Sequence, residues 1–399
     1  MEDEFYRIKR LPPYVIAEVN SMRAEARAAG RDIIDLGMGN PDLPPPQHVI
    51  EKLCEVAQKP SAHGYSQSKG IPGLRKAQAN YYARRFGVEL DPEREVVVTM
   101  GSKEGLASMA TAMTAPGDVV MAPNPSYPIH TFGFIIAGAT IRSVPTTPDE
   151  RYWESLEKAM AFTVPRPSIL IVNFPSNPTA EVVDLEFYQK LVDWAKENKV
   201  WILSDLAYSE LYYDGNPTPS ILQAKGAKDV AVEFTSMSKT YSMAGWRMGF
   251  AVGNEKLISA LTRVKSYLDY GAFTPIQAAA CAALNGPQDI VEKNRQLYQK
   301  RRDVMVEAFG RAGWDIPPPK ASMFAWAPLP PALKEMGSLE FSKQLLTHAE
   351  VAVAPGVGYG EDGEGYVRIA MVENEQRLRQ AARNVKRYLQ SMGINSTAA

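Results

Sequence analysis

The segment Ile169-Leu170-Ile171-Val172 is aliphatic throughout. A strand of this kind is typical of a parallel sheet with helices on both faces, because every side chain then meets an apolar neighbour. Similar β-rich runs lie on either side of it, and stretches with helical patterning separate many of them. The predicted strands are residues 95–99, 119–122, 140–144, 169–172, 200–203, 232–235 and 249–252. This alternation predicts an α/β fold with a mostly parallel, seven-stranded sheet between helices.

The remainder of the chain has a different pattern. A long helical stretch over 287–312 is followed by two strand-like segments and two further helices. The proline-rich segment before about residue 46 is expected to pack against this tail. We therefore predict a large domain over residues 46–286 and a smaller α+β domain from residues 1–45 and 287–399.

Composition restricts the classes of partner. The 399 residues include 44 basic and 45 acidic side chains, which argues against nucleic acid or an anionic membrane as partner. The charged N-terminus lacks the apolar core of a signal peptide and no apolar run is long enough to span a membrane, so we expect a cytoplasmic protein. Cys54 and Cys281 form no C-x-x-C pair and the histidines show no metal-ligand spacing, which predicts two buried free thiols and no metal site.

The segment Ser236-Met237-Ser238-Lys239 follows a predicted strand, and Arg247 lies a short distance beyond it. Ligands of open α/β sheets bind at the carboxyl ends of the strands, where this segment is expected. A lysine amine forms a Schiff base with an aldehyde, while hydroxyls and a guanidinium bind a phosphate. The segment therefore fits an aldehyde that carries a phosphate, although a solvated lysine in a serine-rich loop would give the same pattern.

Asp205 stands at the end of the apolar strand 200–203. A carboxylate there could pair with a pyridinium nitrogen and keep it protonated, which makes the ring an electron sink. A close cation would lower the pKa of this acid more than desolvation raises it. Tyr208 could donate a hydrogen bond to a phenolic oxygen on such a ring. The alternative for Asp205 is a helix N-cap.

Other segments offer single groups of the same kind. Asn177 precedes a proline, and could bind the same phenolic oxygen and a substrate carboxylate, or could simply form a turn. Gly101 and Ser102 open a predicted helix, where free N–H groups attract a phosphate. Tyr127 offers a ring face for stacking.

Arg368 is a lone cation in an apolar strand. A buried guanidinium needs an anion, which could be a substrate α-carboxylate or a structural partner such as Glu373. The segment from Gly358 to Gly363 matches G-x-G-x-x-G, but a strand follows it rather than a helix, so it is rejected as a dinucleotide site.

Taken together, these motifs resemble the class I/II aminotransferases of pyridoxal 5′-phosphate (PLP) fold type I over nearly the whole chain. The motifs occur in the expected order at residues 37–42, 63–65, 101–105, 123–128, 174–179 and 238–241. Within that family, residues 10–14, 265–271 and 319–323 are most similar to the bacterial glutamate–pyruvate (alanine) aminotransferases.

The resemblance implies PLP as cofactor and a ping-pong transfer of an amino group from an L-amino acid to a 2-oxo acid. Alanine with 2-oxoglutarate is the expected pair. Related enzymes act on aspartate, methionine, aromatic amino acids or LL-diaminopimelate, and these stay open as alternatives. A PLP-dependent C–S lyase and a PLP-sensing regulator are further alternatives, although the regulators carry an N-terminal winged-helix module for which this chain has no room.

The resemblance also implies individual roles. Lys239 forms the Schiff base and shuttles the α-proton between substrate and cofactor, and Asp205 pairs with the pyridine nitrogen. The other implied cofactor contacts are Gly101, Ser102, Lys103, Tyr127, Asn177, Tyr208, Ser236, Ser238 and Arg247. The implied substrate contacts are Gly39, Asn177 and Arg368, with Tyr14 and Tyr270 in the side-chain pocket. Tyr65 is implied to reach the phosphate of a neighbouring subunit, which predicts a homodimer with shared sites.

Overall fold

The computed structural model describes residues 5–13 and 15–394. Its strands are β1 (Ile34–Asp35), β2 (Val96–Thr99), β3 (Val119–Asn124), β4 (Thr140–Pro145), β5 (Ile169–Asn173), β6 (Trp201–Asp205), β7 (Ala231–Ser236), β8 (Gly249–Gly253), β9 (Phe324–Pro328), β10 (Val351–Ala352), β11 (Ala354–Pro355) and β12 (Tyr366–Ala370). Its α-helices are α1 (Tyr6–Lys9), α2 (Val15–Ala28), α3 (Gln47–Ala57), α4 (Pro72–Phe86), α5 (Ser102–Met113), α6 (Ile129–Ala137), α7 (Glu150–Phe162), α8 (Leu185–Asn198), α9 (Met237–Thr240), α10 (Glu255–Leu268), α11 (Thr274–Asn285), α12 (Asp289–Arg311), α13 (Ser338–Gln344) and α14 (Glu375–Ser391). A π-helical turn spans Leu345–Ala349, and 3₁₀ turns span Pro60–His63, Ile221–Gln223, Ala227–Asp229, Ala244–Trp246, Pro331–Met336, Gly356–Tyr359 and Glu361–Gly363.

The central sheet has seven strands in the order β2-β8-β7-β6-β5-β3-β4. Each predicted strand of this sheet is present. At most strand ends, the observed bound differs from the predicted bound by one or two residues. Only β8 runs antiparallel to its neighbours. The connection from β7 to β8 contains only the short helix α9 and one 3₁₀ turn, and so it lacks the crossover helix that usually joins parallel neighbours. The predicted α/β class with a mostly parallel sheet is confirmed.

The strand that decides the fold is buried on both faces. Leu170 and Val172 pack in one hydrophobic cluster with Leu191 of α8. Ile169 and Ile171 point the other way and pack in a second cluster that includes α5 and α6. Alternate residues therefore meet different helical layers, which explains why the strand carries no polar side chain.

The N-terminal segment contacts the C-terminal part, as its composition predicted. β1 pairs in parallel with β10, and Arg377 of α14 forms an ion pair of 2.7 Å with Asp32. A further hydrophobic cluster joins β1 to residues of α12, β9, β12 and α14, and it also includes Tyr208 and Leu211 from the central region. We propose that the division into residues 46–286 and residues 1–45 with 287–399 describes two domains, with this cluster between them.

The expectation that both cysteines are buried is wrong for Cys54, which is exposed on α3. Cys281 is partly buried on α11, and burial raises the pKa of its thiol to about 11. In residues 5–13 and 15–394 no cluster of three or more His, Cys, Asp or Glu side chains could hold a metal ion. No helix in the same part of the chain is long and apolar enough to cross a membrane.

Candidate active site

A cavity of about 840 Å³ opens where the central strands end. Its lining includes Asn173, Asp205 and Ser236, which are the last residues of β5, β6 and β7. These three strands are parallel neighbours, so their carboxyl ends meet at one edge of the sheet. Polar side chains that stand far apart in the sequence are therefore brought together here.

Lys239 lies on the short helix α9, directly after β7. Its Nζ donates a hydrogen bond of 2.6 Å to the carbonyl oxygen of Gly39. Burial, helped by the positive charges of Arg368 and Arg247, lowers the pKa of Lys239 from 10.5 to about 8. A neutral amine, which is the nucleophilic form, is thus accessible near neutral pH.

Asp205 is paired with a histidine that the sequence analysis missed. Nε2 of His130 lies 2.8 Å from Oδ2 of Asp205, and His130 is fully buried in the first turn of α6. An ionised carboxylate can only accept, so Nε2 donates this bond. Oδ1 of Asp205 accepts from the amide of Ala207 at 3.2 Å. No α-helix starts directly after β6, so the helix N-cap alternative for Asp205 is excluded.

Arg368 on β12 is 7% exposed and faces neutral oxygens. Nη1 donates to Oδ1 of Asn177 and Nη2 donates to the carbonyl of Gly37, both at 2.9 Å. Among the described residues its Nε has no hydrogen-bond partner, and no carboxylate, Glu373 included, forms an ion pair with it. The guanidinium also lies 3.9 Å from the ring centroid of Phe324. A buried cation of this kind calls for an external anion.

Asn177 links Arg368 to Tyr208. Its Nδ2 donates to Oη of Tyr208 at 3.4 Å, while its Oδ1 accepts from Arg368. Burial raises the pKa of Tyr208 well above its usual range, so the phenol keeps its proton. The pair therefore presents an amide and a hydroxyl at the same wall of the cavity.

The turn before α5 approaches Arg247 closely. Gly101 has φ +83°, and a Cβ there would lie 2.4 Å from Nη2 of Arg247. A Cβ at Gly249 would lie 2.8 Å from the backbone nitrogen of Ser102, so both positions require glycine. Oγ of Ser236 accepts from the amide of Ser238 at 3.1 Å. The cavity lining from this region comprises Ser102, Lys103, Ser236, Ser238 and Arg247.

Tyr127 forms a further part of the cavity wall. Its ring lines the cavity and stands edge-on to His130, with 6.0 Å between ring centroids. Burial, together with the negative charge of Asp205, raises the pKa of Tyr127. The Nζ of Lys103 lies 5.6 Å from the centroid of the same ring.

Two residues named from the sequence lie away from the cavity of their own chain. Tyr65 is 89% exposed and Tyr270 is 65% exposed, and their rings contact each other at 4.6 Å between centroids. Neither lines the cavity. Tyr14 lies outside the described residues.

The residues of the cavity fit PLP. Lys239 offers an amine of lowered pKa to an aldehyde, and the start of α5 with Arg247 offers donors to a phosphate. Asp205 offers a carboxylate to a pyridine nitrogen. The unpartnered Nε of Arg368 leaves a donor for a second anion, such as a substrate carboxylate.

Comparison with known proteins agrees with this reading. Residues 31–385 match the family model of aminotransferase class I and II. Glutamate-pyruvate aminotransferase AlaC of Escherichia coli is 52% identical over 393 residues, which cover 98% of this chain and 95% of AlaC. LL-diaminopimelate aminotransferase of Moorella thermoacetica is 43% identical over 386 residues, which cover 97% of this chain and 98% of that protein. The substrate-bound structure of BacF from Bacillus subtilis superposes with a TM-score of 0.90 at 35% identity, covering 97% of this chain and 98% of BacF.

The match extends over most of the chain and includes all six motifs, from residues 37–42 to residues 238–241, that carry the resemblance to the class I/II family. The predicted family, enzyme class and cofactor are thereby confirmed. The chain belongs to the class I and II aminotransferases and is a PLP-dependent transaminase.

Proposed function

We propose that this enzyme moves an amino group between L-alanine or L-glutamate and pyruvate or 2-oxoglutarate by a ping-pong route. The observation that carries the proposal is Arg368, a buried cation in the same cavity as Lys239 and without a carboxylate partner among the described residues. The choice of substrates is supported by the 52% identity to a protein named glutamate-pyruvate aminotransferase.

Lys239 is the proposed catalytic base and the attachment point of the cofactor. When bound, PLP supplies a protonated ring that accepts electrons from the α-carbon. The amine of Lys239, with its pKa lowered to about 8, can take the proton from the substrate α-carbon and would pass it to the cofactor carbon.

Other side chains hold the ring in the proposed site. Asp205 would pair with the pyridine nitrogen, and the bond from buried His130 orients that carboxylate. Asn177 and Tyr208 would donate to the phenolic oxygen, and Tyr127 would stack on the ring face.

The phosphate would bind at the start of α5. Helix N-termini favour anions because their first N–H groups are unpaired and the helix dipole is positive there. The proposed phosphate ligands are Gly101, Ser102, Lys103, Ser236, Ser238 and Arg247.

Arg368 would bind the α-carboxylate of the amino acid as a bidentate pair. Asn177, which accepts from Arg368, and the backbone of Gly39, which lines the same cavity, would complete the proposed carboxylate site. Tyr14 and Tyr270 are the proposed residues of the pocket for the substrate side chain.

We propose a homodimer in which Tyr65 reaches the phosphate site of the second copy. Tyr65, Tyr267, Tyr270 and Phe273 are all exposed, from 45% to 89%, which is unusual for aromatic side chains in one region of a surface. The ring of Tyr270 contacts that of Tyr65, so Tyr270 would also lie at the partner's site, where it would line the side-chain pocket. We also propose that the enzyme is cytoplasmic, as the sequence predicts.

An aminotransferase for LL-diaminopimelate is the second candidate, because a protein of that name is 43% identical over nearly the whole chain. A β-eliminating C–S lyase would use the same residues but would release ammonia and need no amino acceptor.

The first test adds single amino acids to the purified PLP-loaded enzyme without any 2-oxo acid. L-Alanine and L-glutamate should each convert the visible cofactor band to the near-ultraviolet band of its amine form, with stoichiometric oxo acid and no ammonia. Conversion by LL-diaminopimelate but not by alanine would favour the second candidate. Release of ammonia from cystathionine with repeated turnover would favour the lyase.

Substitution of Arg368 tests the carboxylate site. Arg368→Gln should lower kcat/KM for the amino acid by about 10- to 100-fold, because hydrogen bonds to a charged group are lost. Arg368→Lys should recover only part of the loss, since lysine lacks the planar fork. Arg383→Gln, at an exposed position of α14, is the matched control. An unchanged kcat/KM in Arg368→Gln would contradict the assignment.

The pKa of Lys239 predicts a pH dependence for cofactor uptake. The rate at which cofactor-free enzyme takes up PLP should rise with pH through a midpoint near 8, because the neutral amine attacks the aldehyde. Arg368→Gln removes a cation that lowers this pKa, so the midpoint should move to higher pH, while Arg383→Gln should leave it in place. A midpoint close to the ordinary lysine value of 10.5 in the unmodified enzyme would refute the prediction.

A further inference from the structure

The chain buries a second lysine that the proposed chemistry does not use. Lys265 lies in the last turn of α10 and is fully buried. Its Nζ forms ion pairs with Glu104 at 3.1 Å and with Asp269 at 2.9 Å. Desolvation of an ammonium group is costly, so a buried lysine is tolerated only where its partners are held in place.

Glu104 connects this cation to the turn that precedes α5. Its Oε2 accepts from the backbone amide of Met100 at 2.8 Å, and its Oε1 accepts from Oγ of Ser108 at 2.7 Å. Met100 is followed by Gly101 and Ser102, where the phosphate is proposed to bind. The orientation of Glu104 therefore influences the position of that turn.

Asp269 anchors the other side of the cation. Its Oδ1 accepts from the amide of Gly271 at 2.7 Å, and its carbonyl oxygen accepts from Oγ of Ser68 at 2.5 Å. Gly271 has φ +81°, and a Cβ there would lie 2.1 Å from the carbonyl oxygen of Gln67. The carboxylate of Asp269 thus sits on a tightly packed junction between two loops, which gives Lys265 a fixed support.

We propose that Lys265 is a positioning residue for the cofactor phosphate. Asp269 fixes the ammonium group of Lys265, which in turn orients Glu104. Glu104 then holds the Met100–Ser102 turn in the conformation that binds an anion. Lys265 acts through this turn and touches neither cofactor nor substrate. The inference rests on the PLP dependence of the family and on the proposed phosphate site, and it is independent of which amino acid is the substrate.

The test compares PLP with pyridoxal, which carries the same aldehyde but no phosphate. Equilibrium binding of each to cofactor-free enzyme is measured from the visible absorption band. Lys265→Met should weaken PLP binding by about 10- to 100-fold, as loss of a supporting partner does at other sites, and should leave pyridoxal binding unchanged. Lys256→Met, at an exposed position of the same helix, should change neither.

A merely structural role for Lys265 predicts a different result, in which PLP and pyridoxal affinities fall together. That outcome, or an unchanged PLP affinity, would overturn the proposal. If Lys265→Met fails to fold, Glu104→Ala decides in its place. It removes the carboxylate that accepts from the amide of Met100. The Glu104 side chain is 23% exposed, so its loss should disturb the fold less than the loss of a fully buried side chain. Glu104→Ala should show the same loss restricted to PLP. Because no amino acid is added, the result stays separate from the choice of substrate.

Discussion

The site is governed by positive charge that no carboxylate of the described residues neutralises. Lys239 and Arg368 are held by the carbonyl oxygens of Gly39 and Gly37 and by the amide of Asn177. The carboxylate of Asp205 is already engaged by His130. A cavity built in this way favours ligands that bring anions, and a phosphorylated cofactor with an amino acid brings a phosphate and a carboxylate.

Much of this arrangement could be predicted from the sequence, because parallel strands end at one edge of a sheet. Asn177, Asp205 and Lys239 each stand at or just after the end of a neighbouring strand, so an apolar run followed by a polar residue was enough to place them together. The same reasoning gave the large sheet but not the reversal of β8. The reversal follows from the connection, in which α9 and a 3₁₀ turn take the place of a crossover helix, rather than from the composition of the strand.

Other parts of the site depend on contacts without a sequence signal. His130 meets Asp205 across 75 positions, and a histidine in the first turn of an apolar helix has no spacing that points to a partner. Ile16 and Asn20 of α2 line the cavity, whereas the resemblance placed only Gly39 and Tyr14 of the N-terminal segment in the site. Lys265 is one of three basic residues of α10 and nothing in its spacing marks it, and its burial follows from the packing of α10 against α5.

The central claim is that Lys239 carries the cofactor, and its most direct test is chemical trapping. The PLP-loaded enzyme is reduced with borohydride, digested, and its peptides are analysed by mass spectrometry. The account predicts a phosphopyridoxyl group on the peptide that contains Lys239, and no such group in a Lys239→Arg protein treated in parallel. Modification of another lysine, such as Lys103, with Lys239 unmodified would contradict it.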